Sequence, residues 1–369
     1  MCIRDRNKPC HCGSGKKYKK CHLDRDSQAR ISPFESGRAL KKAMSHRRCY
    51  YPVASGSACD NKIIQAHSIR RAADLRALAR NNHVLQVAVD MPILMRTGGK
   101  PAARLVGINE ASTFTGFCGV HDAKAFAPLE REEFSATPEQ CFLLFFRAWA
   151  REAYTKEGAQ RGLNVLRETD KGRPLEAQKA IQDFINLQAE GYELGLRDIA
   201  LYKAELDVAF LAQKFDVVES VVVWFSGQLP FACSGSFYPY WTVDGSPLQH
   251  FDREATEDAL ALTLLNEGGE GCAVMSWLST RGVAAKAFAM DILRQPNVAD
   301  ALCRTAYSCL ENVYASPDWW DSLETAQRAE LVDRTTDGVF PIKSENPKAL
   351  LPRGASFLSL PVSKVVRVP

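Results

Sequence analysis

The sequence predicts an α+β protein built from several pieces, and three observations carry that prediction. Cysteines and histidines gather in short-spaced groups within the first 130 residues. Between residues 137 and 215, apolar residues recur at helical spacing, and from residue 216 onward strand-like runs alternate with a helical one. At 369 residues the chain is long enough for two or three domains. Hydrophobic residues supply 46% of it, enough for a sizeable core. No unbroken apolar run reaches the roughly 18 residues of a membrane span, and FLLFFRAWA (142–150) is interrupted by Arg147. No secretory signal is visible, so a cytoplasmic protein without a membrane span is expected. The opening string MCIRDR is what a common sequencing-library adapter encodes when read through in frame. Residues 1–6 are therefore set aside as an artefact, and the true start is expected to be missing.

The first element is NKPCHCGSGKKYKKCH, residues 7–22, within an expected unit of residues 7–23. Cys10 and Cys12 on a turn, then Cys21 and His22 after eight intervening residues, can converge as four ligands. Zn²⁺ accepts a tetrahedral set of three cysteines and one histidine, at about 2.3 Å to sulfur and 2.0–2.1 Å to nitrogen. Gly13 and Gly15 permit the chain reversal, and Lys16, Lys17, Lys19 and Lys20 favour the thiolate form. Sixteen residues cannot bury enough surface to fold alone, so metal binding would have to fold them. With every position filled by protein, that metal is expected to be structural. The stretch resembles the SEC-C motif, a short zinc-binding module found at the C-terminus of the SecA translocation ATPase and on many bacterial proteins. That resemblance implies Cys10, Cys12, Cys21 and His22 as zinc ligands and a role in protein and surface contacts. His11 stands where the family usually has proline.

Residues 24–46 read as a basic linker that turns helical near Ser36 to Ser45. The charge is lopsided. Residues 7–50 carry a net +9 and residues 51–369 a net −6, so attraction to phosphate backbones or acidic surfaces is confined to one end.

Residues 47–130 look like a compact α+β unit, with short apolar runs at KIIQAHSI and NHVLQVAV and a helical signal between them. Cys49 and Cys59 flank a loop rich in Pro, Gly and Ser, while Cys118 and His121 sit three apart where a helix begins. A loop pair plus a pair on the first turn of a helix is the treble-clef arrangement, so these four form a candidate second zinc site. IQAHSIRR also resembles the first histidine segment of HNH endonucleases. That resemblance implies His67 as general base, Asn81, Asn82 or His83 at a middle position, and His121 or Asp122 at the last. It would require a second divalent metal held against the scissile phosphate. Arg70 and Arg71 beside His67 suit phosphate contact.

In the helical region, residues 137–215, Thr137 is the expected N-cap, with Pro138 and Gln140 completing its signature. A longer helical pattern runs from Leu175 to about Phe215. Residues 216–369 are expected to form an α+β domain, with strands in VVVWFSGQLPFACSGSF and GCAVMSWLS and a helix from Val298. Cys141, Cys233, Cys272, Cys303 and Cys309 lie in apolar surroundings and read as core packing. The leading expectation is a zinc-binding protein that engages nucleic acid or a ribonucleoprotein through its basic N-terminal end. An HNH-like metal-dependent nuclease serving defence, and a protein-interaction adaptor using the knuckle, are the alternatives.

Overall fold

The computed structural model describes residues 6–52, 59–89, 91–336 and 346–369; most of the expected adapter string lies outside them. The strands are β1 (Ile63–His67), β2 (His83–Ala88), β3 (Ala102–Gly107), β4 (Thr113–Cys118), β5 (Val218–Phe225), β6 (Phe231–Phe237), β7 (Leu260–Glu267), β8 (Glu270–Leu278), β9 (Val313–Ala315) and β10 (Val362–Val368). The longer helices are α1 (Pro33–Met44), α2 (Gly119–Ala125), α3 (Pro138–Arg167), α4 (Leu175–Ala212), α5 (Val283–Arg294), α6 (Val298–Cys309) and α7 (Thr325–Thr336). This mixture of helix and strand is the expected α+β class. Among the described residues, no helix is long and apolar enough to cross a membrane.

Eight strands form one sheet in the order β10-β5-β8-β7-β6-β9-β2-β3, antiparallel at each pairing. The central strands β5, β7 and β8 read as nearly continuous apolar runs because both of their faces are covered, whereas edge strand β10 is largely exposed and edge strand β3 is half-buried to exposed. Alternate residues point to opposite faces. Val218, Val222, Leu265, Val274 and Leu278 meet Phe142, Phe146 and Trp149 of α3 on one face. Val221, Val223, Leu262, Leu264 and Met275 meet Phe288 of α5 and Leu302 of α6 on the other. Cys141, Cys233, Cys272 and Cys303 are buried in these layers, as expected, and Cys309 is half-buried.

Helix α3 opens on the predicted capping box: the Thr137 side chain accepts from the Gln140 N–H, and the Gln140 side chain reaches back to Thr137. Two expectations about organisation change. The segment read as a linker is packed structure, because α1, with its own Ser32–Glu35 capping box, lies against α3. The approach is close: a Cβ on Gly158 would sit 2.5 Å from the Met44 carbonyl oxygen. Residues 47–130 and 216–369 also share one sheet. Leu85 of β2 pairs with Ala315 of β9, which pairs in turn with Phe231 of β6. What remains apart is the β1–β4 pair, followed directly by α2.

Two candidate metal centres

Two groups of Cys and His side chains converge among the described residues, and they are the two sets expected from the sequence. In the first, one ligand atom from each of Cys10, Cys12, Cys21 and His22 lies within 4.8 Å of all the others. A tetrahedron with bonds of about 2.3 Å has edges of about 3.8 Å, so the spacing fits a single ion. Cys12 Sγ and Cys21 Sγ are 3.5 Å apart, and neither is in a disulfide. His22 Nδ1 lies 3.1 Å from Cys10 Sγ and 3.2 Å from Cys21 Sγ. The turn that brings the cysteines together bends at Gly13, whose φ of +75° lies in the left-handed region. His11 packs its ring edge-on against His22, 4.6 Å between centroids, and is not one of the four.

The other face of His22 explains its orientation. Nε2 donates to Asp170 Oδ2 at 2.9 Å, which leaves Nδ1 with its lone pair directed at the sulfurs. Asp170 is fully buried. Its carboxylate also accepts from Arg25 Nε at 2.5 Å and Gln182 Nε2 at 2.7 Å. Arg167 donates to the Cys12 carbonyl, to Gln182 and to Asn186. The knuckle is thereby seated on the turn between α3 and α4. Sequence reasoning missed Asp170, which lies 148 residues from His22 and carries no local signal.

In the second group, ligand atoms of Cys49, Cys59, Cys118 and His121 also lie within 4.8 Å of one another. Register places Cys118 opposite Ile63 at the start of β1, just after Cys59. The Cys49 segment runs beside β4, with the Tyr50 N–H donating to Gly116 O at 2.8 Å. Cys118 is the N-cap of α2, its sulfur accepting from the His121 N–H, a hydrogen bond that favours the thiolate against the larger opposing effect of burial. His121 Nδ1 is 3.3 Å from Cys49 Sγ, and its ring stacks on Tyr51 at 4.0 Å. Most of the loop joining Cys49 to Cys59, residues 53–58, lies outside the described residues.

Burial above all pushes the Cys10 and Cys118 thiols up to about 12, so each ionises only with a compensating cation. Both clusters could hold a metal ion. Four protein donors close each set and leave no open position for a substrate, the pattern of a structural centre.

The remaining predicted residues are dispersed. His67 ends β1 opposite Thr113. It lies four residue steps from Ile63, the partner of Cys118, roughly 13 Å along the strand. Its Nε2 donates to the Ile108 carbonyl at 3.1 Å, and burial pushes its pKa down. Among the described residues no metal-type cluster includes it. Asn81 and Asn82 both have positive φ in the tight turn before β2, and His83 Nδ1 bonds the Asn81 carbonyl at 2.8 Å. Arg70 turns inward instead of towards a phosphate. It is buried, and its guanidinium is taken up by Asp74, Glu267 and the Asn266 carbonyl. Arg71 is exposed and reaches Asn109. Lys16, Lys17, Lys19 and Lys20 are all exposed.

Residues 6–24 match the family model of the SEC-C motif, a span that contains the whole first donor set. Comparison with curated proteins gives no match, and comparison with solved structures gives none either.

Proposed function

We propose that this is a zinc-binding SEC-C-motif protein. It holds one Zn²⁺ at Cys10, Cys12, Cys21 and His22 and a second at Cys49, Cys59, Cys118 and His121, and engages nucleic acid or a ribonucleoprotein through the knuckle. One observation supports the reading above the others. The knuckle turns His22 inward to Asp170 while Lys16, Lys17, Lys19 and Lys20 stay exposed, with no ion pair to any described residue. Metal closure and the α3–α4 seat fix those four charges relative to the body, which is how a small surface attracts a phosphate backbone. Free thiols throughout the described chain suit the reducing cytoplasm.

The test is binding of short RNA and DNA oligonucleotides by fluorescence anisotropy across a salt series. Removing one lysine–phosphate pairing should reduce the slope of log K against log salt by about 0.7–0.9. Replacing the four lysines with glutamine should therefore flatten the slope by up to about 3.6. Binding that is independent of salt, or unchanged in this variant, overturns the proposal. Displacement of the oligonucleotide by an acidic polypeptide at equal charge would favour the protein-interaction adaptor, which draws on the same lysines. For the HNH-like alternative, His67 would need a metal site completed by groups other than those that converge at the two centres.

A further inference from the structure

A cleft of about 750 Å³ opens between α3, α4, the end of β6 and the end of α6. It lies apart from both cysteine–histidine clusters, and its walls have three properties that point to one kind of ligand.

The first is unmet hydrogen bonding. Nine buried side-chain polar atoms among the described residues have no partner, and five belong to residues that line this cleft. Four of those are Trp149 Nε1, Ser234 Oγ, Ser308 Oγ and Asn312 Oδ1, on side chains no more than 3% exposed. Burying such a group without a partner is costly, and a concentration of them around one cavity indicates that something polar is meant to meet them.

The second is charge. Asp198 and Glu257 are 4% and 8% exposed and line the same cleft. Asp198 accepts through Oδ1 from Arg197, and Glu257 through Oε1 from the Tyr240 hydroxyl at 2.5 Å. The second oxygen of each accepts no hydrogen bond from a described residue. The cations of the lining are largely committed: Lys156 pairs with Glu152, and Arg197 with Asp198 and the Arg253 and Ala255 carbonyls. Arg151 completes the set, with its Nε unpartnered. Burial and then the Asp198 and Glu152 charges push the Tyr238 phenol well up, which marks the field at that wall as negative.

The third is the walls themselves, which carry the rings of Trp149, Tyr192, Tyr238, Tyr240 and Trp241. Aromatic faces beside carboxylates attract cations carried on an organic body.

We propose that this cleft binds a small organic amine. Its ammonium is held by Asp198 and Glu257, its body lies against the tyrosine and tryptophan rings, and its hydroxyl or amide groups meet Ser234, Ser308 and Asn312. The volume suits a ligand of ordinary metabolite size.

The experiment is isothermal titration calorimetry on the full chain with three probes of one shape: 2-phenylethylamine, 2-phenylethanol and phenylacetate. The amine should bind at least about tenfold more tightly than the alcohol, and phenylacetate should not bind. Asp198→Asn and Glu257→Gln should each remove most of the amine's advantage and leave the affinity for the alcohol unchanged. Equal affinity for amine and alcohol overturns the proposal. So does tighter binding of phenylacetate, which would make Arg151 the determinant, or no heat from the amine at about 10 mM. The comparison of probes on the unmodified chain decides the matter even if a carboxylate variant fails to fold.

Discussion

A histidine that ligates metal through Nδ1 carries its proton on Nε2, and at His22 that proton goes to Asp170 Oδ2 at 2.9 Å. Asp170→Asn keeps the shape but removes the charge that polarises the ring. Affinity for zinc at the first centre should fall by about 10–100-fold, read by competition with a chromogenic chelator, while the second centre keeps its own. Equal affinity in the variant would make Asp170 a packing residue only. The four donors, His22 among them, were legible because they fall within 13 residues, and spacing alone defines the site. Asp170 and Arg25 were not, since a carboxylate becomes a partner only through the packing of α3 and α4. His67 makes a separate statement about pH. Its folded pKa is pushed below the ordinary histidine value, so the unfolded chain takes up a proton first as pH falls. Its contribution to stability is complete above pH of about 6.5 and declines below it. Urea midpoints measured from pH 7.5 to 5 should fall less steeply for His67→Gln than for the parent chain, and parallel slopes would refute the assignment.

At the level of elements, the packing of α1 on α3 depends on a residue without a side chain. Any Cβ at Gly158 meets the Met44 carbonyl oxygen at 2.5 Å, and backbone cannot rotate away as a flexible side chain can. Gly158→Val should destabilise the fold by about 1–3 kcal/mol in urea unfolding, and a loss below about 0.5 kcal/mol would show that α1 detaches at no cost. The helices were the most legible elements, since Thr137, Pro138 and Gln140 announce α3 before its periodicity begins. Strand pairing was far less so. β5 and β6 follow each other in sequence but are not neighbours in the sheet, because β8 and β7 lie between them. The partners of β9 are β6 and β2, and only three residues of β9 itself carry that link. Long-range pairings of this kind leave no periodic trace, so the expected boundary at residue 216 cut through a shared sheet.

On the scale of the molecule, the two centres join different things. The first fastens a surface knuckle to the α3–α4 turn through the hydrogen bonds of Asp170 and Arg167. The second ties the Cys49 segment, β1 and α2 into the main core: Tyr51, stacked on His121, meets Phe210 of α4, and Phe114, Phe117 and Phe126 belong to the cluster around α3. Metal binding free energy becomes folding free energy only where the metal's ligands are coupled to the rest of the fold. Cys21→Ala should therefore free the knuckle locally: trypsin should cut at Lys16 to Lys20 while the thermal midpoint of the body barely moves. Cys118→Ala should lower that midpoint and expose sites throughout the chain, because the substitution removes an N-cap and a ligand together beneath a packed core. Zinc content, measured by elemental analysis, should fall from two per chain to one in each variant. A stoichiometry of one in the parent chain, unaffected by Cys118→Ala, would leave the knuckle as the sole centre and the Cys49 group as packed thiols. If both variants lost global stability equally, the knuckle would be part of the core instead of a seated surface module, and its lysines would owe their exposure to the whole fold.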